Sequence, residues 1–480
     1  MWLWLEQFAL LLLVAVFPWT RYTGGLNLPP VECVGAMILG LVSLLSCGLV
    51  VSIYTSVRLR VAENQATIIT LRDKLRRAIA ILRWVSIFWL LVGLFILGWG
   101  NLVEVDWGLW GYALPVAQIL WMLGPLLTWI GLATMNYLLA VKFRQAVLAN
   151  TGPMQAAAHP MPSLGQYLLW WMRNGLNTLV VFFLIVAVQL EIAIWMQRSG
   201  WTRAGLFLYF LLPLVMYAFY GYPWIWMMNT QAIGPRGLKS RLNYLARDAG
   251  VRVTQVRAWK THFMVANAVM VGLARGSRFI LISDSLLESL NRDELDAVFA
   301  HELGHGRHRH AAWLFGTMFA GSLLGAGLAL WWVHHFALGV QWFIPMQVSF
   351  FVIFLAAIMP AMHRTFEYQA DWFAVLALAQ WRGTQRYIDG EFSRDAFACQ
   401  NDLSISLAVV RSALLRISHL SGHPPDKRSW THPTTTARIG RIEYLVQHPQ
   451  AANLLNGQAN RLRRVAVGAF IIGLLLLRFR

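Results

Sequence analysis

With 480 residues, 58% of them hydrophobic and only 13% charged, the chain is too apolar for a soluble protein, where charged residues run near 25%, and reads as an integral membrane protein. The formal charge of +18 does not indicate a nucleic-acid partner, because no zinc-finger spacing or soluble basic domain accompanies it. Cys33, Cys47 and Cys399 are too few and too scattered for a disulfide framework or a CxxC metal pair.

Apolar runs of bilayer length, near 20 residues each, fall at 2–19, 34–57, 84–100, 114–141, 177–197, 204–228, 311–334 and 340–362, with a short ninth at 465–477. The first lacks a basic leader and a small-residue cleavage site, so it is expected to stay as an anchor. Arg58, Arg60, Arg72, Lys74, Arg76 and Arg77 follow the second run, and Lys142, Arg144 and Arg173 the fourth. The loop "NLVEVDWGLWGY" carries only Glu104 and Asp106. By the positive-inside rule this places residues 229–309 and 363–464 in the cytoplasm. The expected fold is a mostly α polytopic membrane helical bundle of about eight to nine spans with a small α+β region on the cytoplasmic side. Its segments are 1–228 (about six spans), 229–310 (strands and a His-rich helix), 311–362 (two spans), 363–464 (helical, cytoplasmic) and 465–480 (an apolar tail).

Between the sixth and seventh spans the texture changes. "LKSRLNYLARDAGV" has helical periodicity through Leu238, Leu242, Leu245 and Ala246. "ANAVMVGLARGSRFILISD" reads as two strands joined at Ala274–Ser277. In "NRDELDAVFAHELGHGRHRHAAWLF", Asn291 and Glu294 form a capping box, and the helix they start is expected to run through the His cluster toward the seventh span.

That helix carries the chemistry. His301 and His305, four residues apart, share one helical face and can bind one metal ion. Glu302 beside them can take the proton of a water that zinc has acidified. A catalytic zinc needs a third protein ligand. The metzincin pattern is excluded by His308 and Ala311, and His308 lies about 10 Å from His301 along a straight helix. A separate helix must supply it, and "FEYQADWFAV" offers Glu367 as ligand with Asp371, one turn on, to accept the free N–H of a ligand imidazole. His308 and Arg307 read as solvated or facing headgroups, and Glu191 as a paired or snorkelling residue at a span's end.

"HELGHGRHRH", "FEYQADWFA" and "WTHPTTTARIGRI" together resemble the M48 family of membrane zinc metallopeptidases over about 236–445, closest to its CAAX prenyl protease (Ste24) branch, in which a further histidine, here His310, follows the motif. The resemblance implies that His432, in a His-Pro pair, and Arg438 hold the substrate or the oxyanion. His423 is a competing candidate for that place. It also implies an edge strand beginning Asn267-Ala268 along which a peptide is laid.

The expectation is therefore a multi-pass metalloendopeptidase with one Zn2+ per chain, a protein or peptide substrate, the lipid bilayer as its surroundings and no nucleic acid. His301, His305 and Glu367 would hold zinc. Glu302 would act as base and then as proton donor to the leaving amine. The rival class is a non-catalytic membrane scaffold or metal-binding transporter, for which Glu302 would be dispensable. Prenylated and misfolded membrane substrates, and any oligomeric state, are equally compatible with these residues.

Overall fold

The computed structural model describes residues 28–61, 65–99, 102–107, 123–151, 161–174, 221–234, 236–337, 343–388, 396–421, 424–429 and 432–478, with a few single positions between them. The chain divides into two units, residues 1–214 and 215–480. The expected run 2–19, all of 177–197 but Trp195, part of 204–228, and Glu191 and His423 lie outside the described residues.

In the first unit, α1 (Pro30–Arg60), α2 (Gln65–Val92) and α3 (Leu123–Thr151) pack together. The Arg-rich stretch expected as a loop is helical in α2. Ile68, Leu71, Leu75 and Ile79 recur every three to four residues and bury with Leu132, Leu139 and Phe143 of α3. Arg76 and Arg77 stay on the exposed face.

The second unit opens with the short α4 (Gly221–Met227) and β1 (Thr230–Ala232), followed by α5 (Arg236–Asp248), β2 (Gln255–Trp259), β3 (Ala268–Val271), β4 (Phe279–Ser283) and α6 (Asp284–Ser289). The sheet order is β1-β2-β4-β3. β2 and β4 are parallel, with Val256 opposite Ile280, while β3 is antiparallel to β4, with Ala268 opposite Ile282. β4 is buried at every residue, as its unbroken apolar run demands of a central strand. β3 therefore forms an edge.

Helices α7 (Arg292–Arg307), α8 (His310–His335), α9 (Phe343–Ile388), α10 (Ala396–Leu420), α11 (Thr435–Gln447) and α12 (Ala451–Arg478) complete the unit. One core gathers Leu242 and Leu245 of α5, Ile280 and Ile282 of β4, Phe299 and Leu303 of α7, Val375 and Leu378 of α9, Val410 and Leu414 of α10, Ile442 and Leu445 of α11 and Leu455 of α12. The expected capping box starts α7: the Asn291 side chain accepts from Glu294 N, and Glu294 Oε2 accepts from Asn291 N.

The expectation that this helix runs on through the His cluster is corrected. It stops at Arg307, and Arg309 takes a left-handed conformation, φ 54°, before α8 starts at His310. A non-glycine residue there costs roughly 1–2 kcal/mol, so packing on both sides must hold it.

Among the described residues, five helices are long and apolar enough to cross a membrane: Pro30–Arg60, Leu123–Phe143, His310–His335, Ser349–Trp381 and Asp402–Leu420. Four overlap expected runs. The fifth falls in the stretch read as polar, and its Val410, Ala413 and Leu414 bury in the core just described. The 465–477 run belongs to α12, which packs along α8: there a Cβ on Gly473 would lie 2.7 Å from Leu324 N.

Candidate metal centre

The geometry of the site begins where α7 crosses α9. A Cβ on Gly304 would lie 2.9 Å from Ala370 Cα and 3.1 Å from its carbonyl oxygen, so the helices meet at two small residues. Gly304 sits between His301 and His305, and Ala370 between Glu367 and Asp371. The approach that glycine permits brings the two motifs face to face. Gly304→Ala is expected to push the helices apart and cost about 1–3 kcal/mol. A thermal melt together with zinc affinity checks this, and both should fall.

The His301 and His305 Nε2 atoms are 3.1 Å apart, and the Glu367 carboxylate oxygens lie 3.7 Å and 3.8 Å from them. One ligand atom from each residue falls within 4.8 Å of the others, as a shared ion requires. Ligands about 2 Å from a tetrahedral zinc stand about 3.3 Å apart, so the donor set and its spacing fit that ion. The far side of each ring is also engaged. His301 Nδ1 is 2.9 Å from Asp371 Oδ1, and His305 Nδ1 is 2.9 Å from His310 Nδ1.

Glu302 is buried and turned toward the sheet, where its Oε2 accepts a hydrogen bond of 2.8 Å from Met270 N. Strand hydrogen bonds alternate sides, and the Asn267 carbonyl accepts from Ser283 N of β4. The Ala268 and Met270 backbone groups therefore face the free edge, beside Glu302. Asn267 is exposed immediately before the strand, while the Ala268 side chain is buried. The strand expected from Asn267-Ala268 is thus an edge strand adjoining the candidate base.

Arg438 is placed differently from its expected use. Its Nε and Nη2 donate to Asp371 Oδ2 and Oδ1 at 2.8 Å and 2.6 Å, and Nη1 lies 3.4 Å from Glu367 Oε2. The guanidinium grips two carboxylates instead of standing open to an oxyanion. His432 is half exposed, with Nδ1 3.2 Å from Glu367 Oε1. It is the more accessible of the two, 50% exposed against 17% for Arg438.

Burial makes the Glu302 carboxylate hard to ionise and raises its pKa to about 7, although His301 pulls the other way. Burial, helped by His301, drops His305 to about 3, leaving a neutral ring ready to bind metal. Burial also opposes a charge on His301, but the Asp371 carboxylate outweighs it and raises the pKa. Burial works against the Arg438 charge too, and is outweighed by Asp371 and Glu367, so its pKa is raised.

Three residues play parts that the sequence reading missed. His310 contacts His305 only because Arg309 folds the chain back, Gln369 Oε1 meets His310 Nε2 at 3.2 Å, and the Met270 amide holds Glu302. His308 is not a headgroup-facing residue: it is half-buried and stacks on the His310 ring at 5.4 Å.

A predominantly helical chain with membrane-length helices, an HExxH helix and a carboxylate delivered from a second helix defines a protein with a candidate His-His-Glu metal centre. Residues 235–446 match the model of Peptidase family M48. That segment, which holds α7, the Glu367–Asp371 turn of α9 and Arg438, is what the chain shares with this peptidase family. Similar proteins include a protease HtpX homolog of Pelotomaculum thermopropionicum, 26% identical over 286 residues, which covers 56% of this chain and 98% of that protein. A protease HtpX homolog of Pyrococcus abyssi is 42% identical over 65 residues, 14% of this chain and only 22% of that protein. Among solved structures, S. mikatae Ste24p aligns with 85% of this chain and 98% of its own at a TM-score of 0.40 and 16% identity.

Proposed function

We propose that this chain is a multi-pass membrane zinc endopeptidase whose active site faces the cytoplasm. His301, His305 and Glu367 hold one Zn2+ per chain, and Glu302 is the general base. The observation that carries the reading is the convergence of two imidazole Nε2 atoms and a carboxylate beside a buried glutamate that touches a sheet edge. Residues 1–228 and 311–362 are the membrane regions in this reading, and 229–310 and 363–464 the catalytic ones. The substrate is a membrane-associated or unfolded protein.

Zinc bound there supplies Lewis acidity, polarising a peptide carbonyl and acidifying water. The chain's own groups do the rest. The free edge of β3, entered at Asn267 and Ala268, pairs with an extended peptide whatever its sequence. Glu302 accepts the proton of the attacking water and hands it to the leaving amine nitrogen. His432 donates to the oxygen on which negative charge develops, an interaction that strengthens in the transition state. Asp371, clamped by Arg438, fixes the His301 ring.

Glu302 must be ionised to accept a proton. With its pKa raised to about 7 by burial, and drawn down again by a nearby dication, activity should fall as pH drops through a limb at or below neutrality. A pH profile of kcat/KM on an extended fluorogenic peptide measures this. A flat profile between about pH 5 and 8 would remove Glu302 from the base role.

A further inference from the structure

The His301 side of the centre is supported by charge, through Asp371 and Arg438. The His305 side is supported by an uncharged chain that nothing above employs. His305 Nδ1 meets His310 Nδ1 at 2.9 Å. His310 Nε2 meets Gln369 Oε1 at 3.2 Å. Gln369 Nε2 then donates to Asn456 Oδ1 at 2.7 Å. His310 and Gln369 are 1% and 2% exposed, so their polar atoms depend on these neighbours for partners, while Asn456 ends the chain at the surface.

We propose that His310, Gln369 and Asn456 form a one-way hydrogen-bond relay that holds His305 in the tautomer whose Nε2 is free for zinc, making the C-terminal helix α12 a support of the metal site. This rests on the zinc reading above.

Donor counting leaves two senses, of which one frees His305 Nε2. Each imidazole that is neutral carries one N–H and one bare nitrogen. Running outward, His305 Nδ1–H donates to His310 Nδ1, and His310 Nε2–H donates to the Gln369 oxygen. The Gln369 amide N–H then donates to Asn456. Running inward, the proton would sit on His305 Nε2, where it blocks the metal. The Gln369 amide, oxygen toward His310 and nitrogen toward Asn456, has the outward sense. A neutral relay also suits a centre that already holds the Glu302, Glu367 and Asp371 carboxylates.

The His310 ring cannot rotate out of line. It stacks on Phe366 at 4.2 Å and 5° on one side and on His308 at 5.4 Å and 11° on the other. Arg463 of α12 covers Phe366 at 5.6 Å and donates from Nη2 to the His308 carbonyl. One helix thus fixes both the end of the relay and the column of rings around its middle.

The test is Zn2+ affinity of the full-length protein in detergent, measured by chelator competition. Gln369→Met keeps the shape but removes the acceptor from His310, and should weaken Zn2+ binding about 10–100-fold. Gln369→Glu keeps an acceptor there and should bind as wild type or tighter. Wild-type affinity in Gln369→Met overturns the relay. If that variant does not fold, 15N-histidine NMR of metal-free wild type decides: protonated Nδ1 on His305 is expected, and protonated Nε2 overturns it. A folded wild type that takes up no Zn2+ would instead overturn the zinc reading itself.

Discussion

Glu302→Gln is expected to keep its zinc and to lose about 10²–10⁴-fold in kcat for peptide hydrolysis, the contribution of a positioned general base. Glu302 is not among the residues converging on the metal position, and its carboxylate accepts from Met270 N. A glutamine oxygen can accept the same bond, so β3 keeps its place. What disappears is the site that receives a proton. Zinc content and kcat on one preparation separate the outcomes. Retained metal with collapsed turnover supports the endopeptidase. Unchanged turnover would place the base elsewhere, and metal without turnover even in wild type would favour a scaffold or transporter.

Glu367→Ala should lower zinc from about one per chain to near none, because two imidazoles alone leave the ion a protein ligand short. Removing Glu367 also strips His432 Nδ1 and Arg438 Nη1 of a carboxylate 3.2 Å and 3.4 Å away, so local rearrangement must be separated from ligand loss. Glu367→Gln serves as the control: it keeps an acceptor for His432 and Arg438 but is a poorer, neutral ligand. A folded Glu367→Ala with undiminished zinc would mean another residue binds it. His432, the nearest free-swinging imidazole, would be examined first. His310 is already committed to the outer nitrogen of His305.

Local patterns were legible in the sequence. Asn291 and Glu294 mark the start of α7, and the four-residue spacing of His301 and His305 puts both rings on one face. The ligand-count rule led to Glu367, and tautomer chemistry to Asp371, although both lie on a helix remote in sequence. Arg309 was illegible. Left-handed backbone is a glycine or asparagine habit, and no local signal announces it at an arginine. Without that reversal, His310 would point away from His305 instead of toward it. The helical character of Arg72–Arg77 was masked in the same way, since charge was weighed ahead of the Leu71–Leu75–Ile79 stripe that α3 covers. Arg438 was read as facing substrate because nothing in the chain order shows that Asp371 and Glu367 flank it.

α9 is one helix of 46 residues, about 69 Å long, against a hydrocarbon layer about 30 Å thick. Its membrane-length stretch, Ser349–Trp381, includes the candidate ligand Glu367. The two histidines sit on α7, which the reversal at Arg309 uncouples from α8. One unbroken rod therefore carries the candidate carboxylate, and the helix that carries the imidazoles crosses it at Gly304 and Ala370. Gly304 and Ala370 hold the two helices in contact, and Phe299 and Leu303 share a core with Val375 and Leu378, so a tilt of the rod carries both halves of the site together. Pro360, two turns before Glu367, lacks the N–H that would tie it to Ala356 and is where such a rod can flex. That bend lies before the crossing with α7, so flexing there leaves the spacing of the candidate ligands as the Gly304–Ala370 contact sets it.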